Sequence, residues 1–144
     1  MHPQILFLEM TILSAEELRL NACLLKQSTF VTVHSGSQHH ATTNIDNQGS
    51  GYPCWNQKFD LELPSNIQYM TIEVKRRSLL GNVMIGMVNV PVTDFTQGYA
   101  AANHLHFLSY LLRDRKGLRK GIVNLSIRVK ESWERVRNTT AFVR

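Results

Sequence analysis

Strict alternation of apolar and polar residues recurs along this chain in short runs, and it leaves few folds open. Phe59, Leu61 and Leu63 alternate with Lys58, Asp60 and Glu62, and Met70, Ile72 and Val74 alternate with Thr71, Glu73 and Lys75. Val123, Leu125, Ile127 and Val129 alternate in the same way with Asn124, Ser126 and Arg128. A period of two sends successive side chains to opposite faces of a strand, so each run has one face for a core and one for water. Looser runs cover Ile5 to Leu13, Phe30 to Ser35, His40 to Asn44, Val83 to Val90 and Leu105 to Leu112, which makes eight strands. Pro53, Pro64 and Pro91 fall between runs, where a missing backbone donor does no harm. Gly86 alone among the eight glycines lies inside a run, where a bulge or close packing is its expected use. No stretch before Lys130 keeps a helical period. Many short strands with turn signals between them predict an antiparallel sandwich or barrel.

At 144 residues the chain suits one domain with a real core. Residues 1–130 are read as that domain, and 131–144 as a basic tail, either a short helix capped by Ser132 or a frayed end. Cys23 and Cys54 are too few for a disulfide framework or a metal-ligand cluster, and both are expected in loops as free thiols. No apolar run is long enough to span a bilayer. The opening residues lack the pattern of a signal peptide, and His2 stands where myristoylation needs glycine. The expected location is therefore the cytoplasm.

Charge is divided unevenly. Residues 1–74 hold three basic against seven acidic residues, whereas 75–144 hold thirteen against four. The basic half points to an anionic partner, or else is a solvated face. Strand parity adds to this, because successive connections in an antiparallel sandwich alternate between its two ends. One end, called the top, receives the segments around Leu18 to Thr29, Ile45 to Asn56, Arg76 to Asn82, and Arg113 to Lys120. Lys26, Arg76, Arg77, Arg113, Arg115, Lys116, Arg119 and Lys120 are thus expected together, with Asp46 and Asp114 as the acids clearly among them and Glu16 and Glu17 at the margin.

Two top segments share a layout, an apolar pair beside positive charge: Leu24-Leu25-Lys26 and Arg76-Arg77-Ser78-Leu79-Leu80. Exposed leucines at a loop tip call for an apolar partner, unless Leu25 and Leu80 fold back to plug the core. His39, His40, His104 and His106 fall at the other end, where surface histidines are the ordinary reading and a metal site the alternative. No nucleophile elbow, phosphate-binding glycine loop, zinc motif or acid–base pair is present, so no enzyme is expected. Nucleic acid ranks third as a ligand. Its stacking aromatics would have to be Tyr52, Trp55 and Tyr110, and Trp55 reads as core.

These residues resemble a C2 domain. Leu8-Glu9-Met10-Thr11-Ile12-Leu13-Ser14-Ala15-Glu16-Glu17-Leu18 is similar to its first strand and loop, and Pro53-Cys54-Trp55-Asn56-Gln57-Lys58-Phe59 to its Pro-x-Trp-Asn-x-x-Phe signature. Ile85-Gly86 and Val90-Pro91-Val92 also fit, and the final Gly121-Ile122-Val123-Asn124-Leu125 strand implies type II topology. The implied fold is an all-β, eight-stranded antiparallel Greek-key β-sandwich. Thr43-Asn44-Ile45-Asp46, Pro91-Val92-Thr93-Asp94-Phe95 and Phe107-Leu108-Ser109-Tyr110-Leu111-Leu112-Arg113-Asp114 are similar to the plant BONZAI-associated proteins. That resemblance implies a non-enzymatic, peripheral membrane protein that binds acidic phospholipid, with the plasma membrane as the expected surface. It also implies a copine-type partner and restraint of plant defence and programmed cell death.

The family's calcium pattern does not carry over. Ser28, Arg76, Ser78 and Asn82 stand where carboxylates are usual, and guanidinium groups repel the ion. No calcium is expected at the usual site, and no other cofactor. The expected lipid-binding set is Leu24, Leu25, Lys26, Arg76, Arg77, Leu79, Leu80, Arg113, Arg115, Lys116, Arg119 and Lys120. The alternative is a protein-interaction adaptor for which lipid is incidental.

Overall fold

The computed structural model describes residues 5–20, 23–24, 28–64, 66–96 and 103–130. The alternating runs become strands β1 (Ile5–Glu16), β4 (Thr29–Ser35), β5 (Gln38–Thr42), β6 (Cys54–Pro64), β7 (Tyr69–Ser78), β8 (Gly81–Pro91), β9 (Leu105–Arg113) and β10 (Arg119–Val129). A two-residue ladder, β2 (Arg19–Leu20) with β3 (Cys23–Leu24), and a helical turn, α1 (Thr93–Thr96), complete the described elements. The long strands run antiparallel in the order β5-β4-β7-β8-β9-β10-β1-β6. Between β8 and β9 there is a single pair, Met87 with Arg113, so the ladder folds there into two four-stranded layers. Trp55 Nε1 donates to the Thr29 carbonyl at 3.0 Å and the Asn44 N–H to Gln57 Oε1 at 2.7 Å, tying the layers along the opposite side.

The inward rows are those the alternation marks. Leu8, Met10 and Ile12 of β1, Met70, Ile72 and Val74 of β7, and Val123, Leu125 and Ile127 of β10 are all buried in one core. Each contributes roughly 1.5–3 kcal/mol by leaving water. Leu18, fully buried, closes the top of this core, with its N–H on the Gly51 carbonyl at 2.9 Å. Phe95 of α1 is also fully buried, which is why a helical turn stands in the connection after β8, where none was expected.

Several boundaries differ from the sequence reading. β6 starts at Cys54, β10 at Arg119 and β5 two residues before His40; β5 ends at Thr42, where Thr43 leaves the ladder to accept the Val31 N–H on its Oγ1 at 2.9 Å. Cys23 and Cys54 therefore sit in strands, not loops, and Cys54 is a free, exposed thiol. Trp55 is half-buried at the margin of the core, held by its hydrogen bond across the layers. The tail 131–144 and Ser132 lie outside the described residues.

Gly86 has both of its expected uses. The β7–β8 register slips between Val74 and Lys75, and a Cβ on Gly86 would meet Leu112 Cβ at 3.0 Å. Gly121 is more constrained. Its φ is +125°, and a Cβ there would lie 2.6 Å from the Glu16 carbonyl oxygen and 3.1 Å from Leu18 Cδ2. Gly121→Ala is expected to lower stability by about 1–3 kcal/mol through strain and overpacking at the top of β10. Urea unfolding of the two proteins checks this, and an unchanged midpoint would contradict it.

Candidate functional site

The strand directions bring 17–20, 23–24, 28, 43–53, 79–80 and 114–118 to one end, as parity predicts. β7 and β8 meet there in a hairpin whose last pair is Ser78 with Gly81, leaving Leu79 and Leu80 as the whole loop. A loop this short cannot turn back over the core. Leu79 is 105% and Leu80 102% exposed, so Leu80 does not plug the core; Leu18 does. The Ser78 hydroxyl donates to the Gly81 carbonyl at 2.6 Å and fixes the turn.

A cleft opens on each side of this hairpin. One, of about 700 Å³, is lined by Ser28, Arg76, Arg77, Ser78, Leu79 and Leu80. The other, of about 630 Å³, lies between Asn82, Val83 and Met84 and the β9–β10 turn, with Arg115, Lys116, Leu118 and Lys120 on its wall. Ser28, with a positive φ of 75°, joins three segments: its N–H reaches the Asp46 carbonyl at 3.0 Å, its carbonyl accepts the Arg77 N–H at 2.8 Å, and its hydroxyl donates to Asn47 Oδ1 at 3.0 Å.

Charge pairing separates this end from the rest. Lys58, Arg128 and Lys130 gather on Glu9, Lys130 also meets Asp60, and Lys75 meets Glu73, all at 3.1–3.7 Å. Among the described residues, Arg19, Arg76, Arg77, Arg113, Arg115, Lys116 and Arg119 have no carboxylate within ion-pair distance, and every one of them lies at the top. Arg113 and Arg119 even stand opposite each other across β9 and β10, an arrangement that like charges disfavour.

Lys120 departs from the sequence reading, because Asp114 lies 3.7 Å from its ammonium and partly neutralises it. Leu24 belongs to β3 by its backbone, and its side chain lies outside the described residues, as do Leu25 and Lys26. Arg19, Leu118 (57% exposed) and Val83 are members of this end that the sequence reading missed. Parity already held the signal for Arg19, which falls inside the first top segment.

Asp46 and Asp114 serve their own loops, while Glu16 and Glu17 stand at the margin of this end. Asp46 accepts the N–H groups of Gln48 and Cys54 at 2.7 Å and of Gly49 at 3.2 Å. Partial burial works against its ionisation, but these backbone donors outweigh it and hold the carboxyl below its ordinary value. Asp114 accepts the Leu118 and Lys116 N–H groups at 2.9 Å, and the Leu118 N–H is the main reason its carboxyl is also held low. With Ser28, Arg76, Ser78 and Asn82 at the positions where the family resemblance puts metal ligands, the donor set does not fit calcium. Among the described residues no group of three His, Cys, Asp or Glu side chains is placed to hold a metal ion.

The opposite end is different in kind. His34 pairs with Glu73 at 2.7 Å, His40 accepts from or donates to Ser35 Oγ at 2.6 Å, and His104 stacks edge-on against His106 at 4.8 Å. Burial, then its neighbours His39 and His34, push the His40 imidazole below its ordinary value. Tyr110 is no stacking platform for the top, since its hydroxyl donates to Asp94 at 2.7 Å; burial first, and then that carboxylate, raise its pKa.

Comparison with known proteins agrees with this architecture. A family model described as C2 domain matches residues 7–107. BON1-associated protein 2 of Arabidopsis thaliana is 40% identical over 127 residues, covering 85% of this chain and 61% of that protein. The chain thus spans less than two thirds of that relative's length. A C2 domain of plant Extended Synaptotagmin 1 superposes with a TM-score of 0.72 at 15% identity, over 90% of this chain and 97% of that one. Human GIVD cytosolic phospholipase A2 superposes with a TM-score of 0.70 at 13% identity, over 91% of this chain and 17% of the enzyme. At such identities the superpositions establish fold.

The Asp46 loop gives a pH dependence of known sign. A carboxyl held below its ordinary 3.8 binds protons more weakly in the folded chain. Its stabilisation is complete above that value and lost as pH falls through the folded-state value. Asp46→Asn is expected to cost about 1 kcal/mol near neutral pH, a figure discounted for solvent exposure. It is also expected to flatten the acid side of the stability profile. Urea midpoints measured from neutral pH to below 3.8 check both; parallel profiles for the two proteins would contradict the assignment.

Proposed function

The chain belongs to the C2 domain family, and from that premise we propose that its top docks reversibly on acidic phospholipid membranes without calcium. One observation carries the reading: the described cations that lack a carboxylate partner are confined to one end, beside two fully exposed leucines. Each free Lys or Arg near an anionic leaflet is worth about 1 kcal/mol, and each leucine that leaves water roughly 1.5–3 kcal/mol. Neither set holds a domain firmly alone, and together they do. The bases draw the top to the surface, and Leu79 and Leu80 dip past the headgroups while Leu24, Leu25 and Lys26 join from the neighbouring segment.

The role in this proposal is non-enzymatic, and no described helix is long and apolar enough to cross a membrane. The likeness to a protein named for its association with BON1 supports a protein partner as well. A copine-type partner, the plasma membrane as the site of action, and restraint of plant defence and cell death complete the proposal. In the second reading, which the same name favours, the domain is an adaptor whose ligand is that partner.

Sedimentation with phosphatidylserine vesicles tests the first reading. Binding is expected to fall steeply as salt is raised, since exposed charges are screened within about 8–10 Å at moderate ionic strength. It is expected to persist when calcium is chelated. Arg76→Glu with Arg77→Glu is expected to weaken binding by at least ~10-fold, and Leu79→Ser with Leu80→Ser to weaken it without removing the salt response. Absence of vesicle binding, with capture of a copine unaffected by the charge reversals, would favour the adaptor.

A further inference from the structure

We infer that the cleft between β8 and the β9–β10 turn receives an extended, acidic segment of a partner protein, which adds as a strand to the free edge of β8. The inference rests on the reading in which the domain has a protein partner, and names the chemistry that partner presents. It begins at Gly86. A Cβ there would lie 3.0 Å from Leu112 Cβ and 3.2 Å from Lys120 Cβ, so its absence lets the two layers close up at that level. Above Gly86 they part. Asn82, Val83 and Met84 form one wall of the opening, and Arg115, Lys116 and Leu118 stand on the other.

On one side β8 is paired up to the hairpin, Lys75 with Met84, Arg76 with Val83 and Arg77 with Asn82. On the other, its single pair among the described residues is Met87 with Arg113, below Gly86. Backbone groups alternate in direction along a strand, so every second N–H and C=O of 82–84 points into the cleft. An unpaired edge is a template for another strand unless charge or proline guards it, and Asn82, Val83 and Met84 supply neither.

The side chains around this edge decide which strand. Val83 and Leu118 are exposed, so apolar residues at alternate positions of a guest find contacts there. Lys120 is set against Asp114 at 3.7 Å, whereas Arg115 and Lys116 have no carboxylate within ion-pair distance among the described residues. Acidic residues of the guest answer them. A phospholipid headgroup has no run of donors and acceptors to match a strand edge, and no aromatic side chain among the described residues lines the cleft to stack a base. A second copy of the chain is a poor guest. Its edge strand β6 alternates Asp60 and Glu62 with Leu61 and Leu63, but both leucines are buried in its own core.

The test uses the full chain and a short blocked peptide in which glutamate alternates with valine. Two controls accompany it, one with lysine in place of glutamate and one with methylated backbone nitrogens. The backbone amides of Asn82, Val83, Met84 and Leu118 are followed by NMR. The acidic peptide is expected to shift these amides, and the lysine peptide to leave them unmoved. The methylated peptide is expected to bind about 10-fold more weakly, the scale of one or two lost hydrogen bonds. Arg115→Glu with Lys116→Glu, both exposed, is expected to weaken the acidic peptide by a similar factor. Equal binding of the acidic peptide and its methylated form would reduce the contact to charge and overturn strand addition. No response to the acidic peptide, with copine capture intact, would overturn the cleft site and leave the partner reading standing. Shifts from the peptide without copine capture would support the site and refute a copine as the partner. Silence in both would refute both. Movement of the same amides by soluble short-chain phosphatidylserine but not by the peptide would give the cleft to lipid. Movement on raising the protein concentration alone would give it to a second copy. Either of these would overturn the inference.

Discussion

Uncompensated positive charge, crowded at one end of a sandwich, is the constraint around which the top of this molecule is built. Arg113 opposes Arg119, Arg76 adjoins Arg77, and Arg115 adjoins Lys116, with no carboxylate within ion-pair distance of any of them among the described residues. Repulsion of this kind would splay flexible loops. The loops are held by backbone hydrogen bonds instead of counter-charges: the 114–118 turn by Asp114 and by Arg113 donating to the Gly117 carbonyl at 2.8 Å, the hairpin by Ser78, and the 43–53 segment by Asp46. The acids that remain at this end are engaged in fixing geometry. They keep their negative charge, but the cations around them outnumber them.

The layered core makes such crowding tolerable, in the plain sense that most of the stability resides elsewhere. The rows of β1, β7 and β10 are sealed from water. Leu18 caps the core below the charged groups, and Gly121 lets the start of β10 pass within reach of the β1 end. The cationic side chains therefore project from a rigid rim. The Ser28 backbone ties that rim to both Asp46 and Arg77.

How much of this was legible in the sequence depends on whether a feature is discrete or continuous. Strand parity is discrete. A residue is at one end or the other, and a boundary error of two residues, as in β5, does not move it. That is why Arg76, Arg77, Arg113, Arg115, Lys116 and Arg119 were assigned to a common end from spacing alone. Pairing is continuous, set by ångström-scale loop geometry, and nothing in the order of residues shows that Asp114 reaches Lys120. Nor does it show that Tyr110 turns to Asp94. The exposure of Leu79 and Leu80 falls between the two cases, since it follows from a loop length that only the Ser78–Gly81 pairing defines.

Replacing ligand carboxylates by guanidinium and hydroxyl groups alters what such an end responds to. A carboxylate cluster repels an anionic surface until a divalent ion reverses its sign, so its attachment follows the concentration of that ion. A guanidinium cluster has the attractive sign already. On the proposed reading, attachment then follows the composition of the membrane and the ionic strength, since no carboxylate among the described residues lies within ion-pair distance of the free cations. Control of such a domain has to come from outside it: from enzymes that make or remove anionic headgroups, or from a partner whose own carboxylates cover the rim. The second route would let protein association and membrane attachment compete for the same seven side chains.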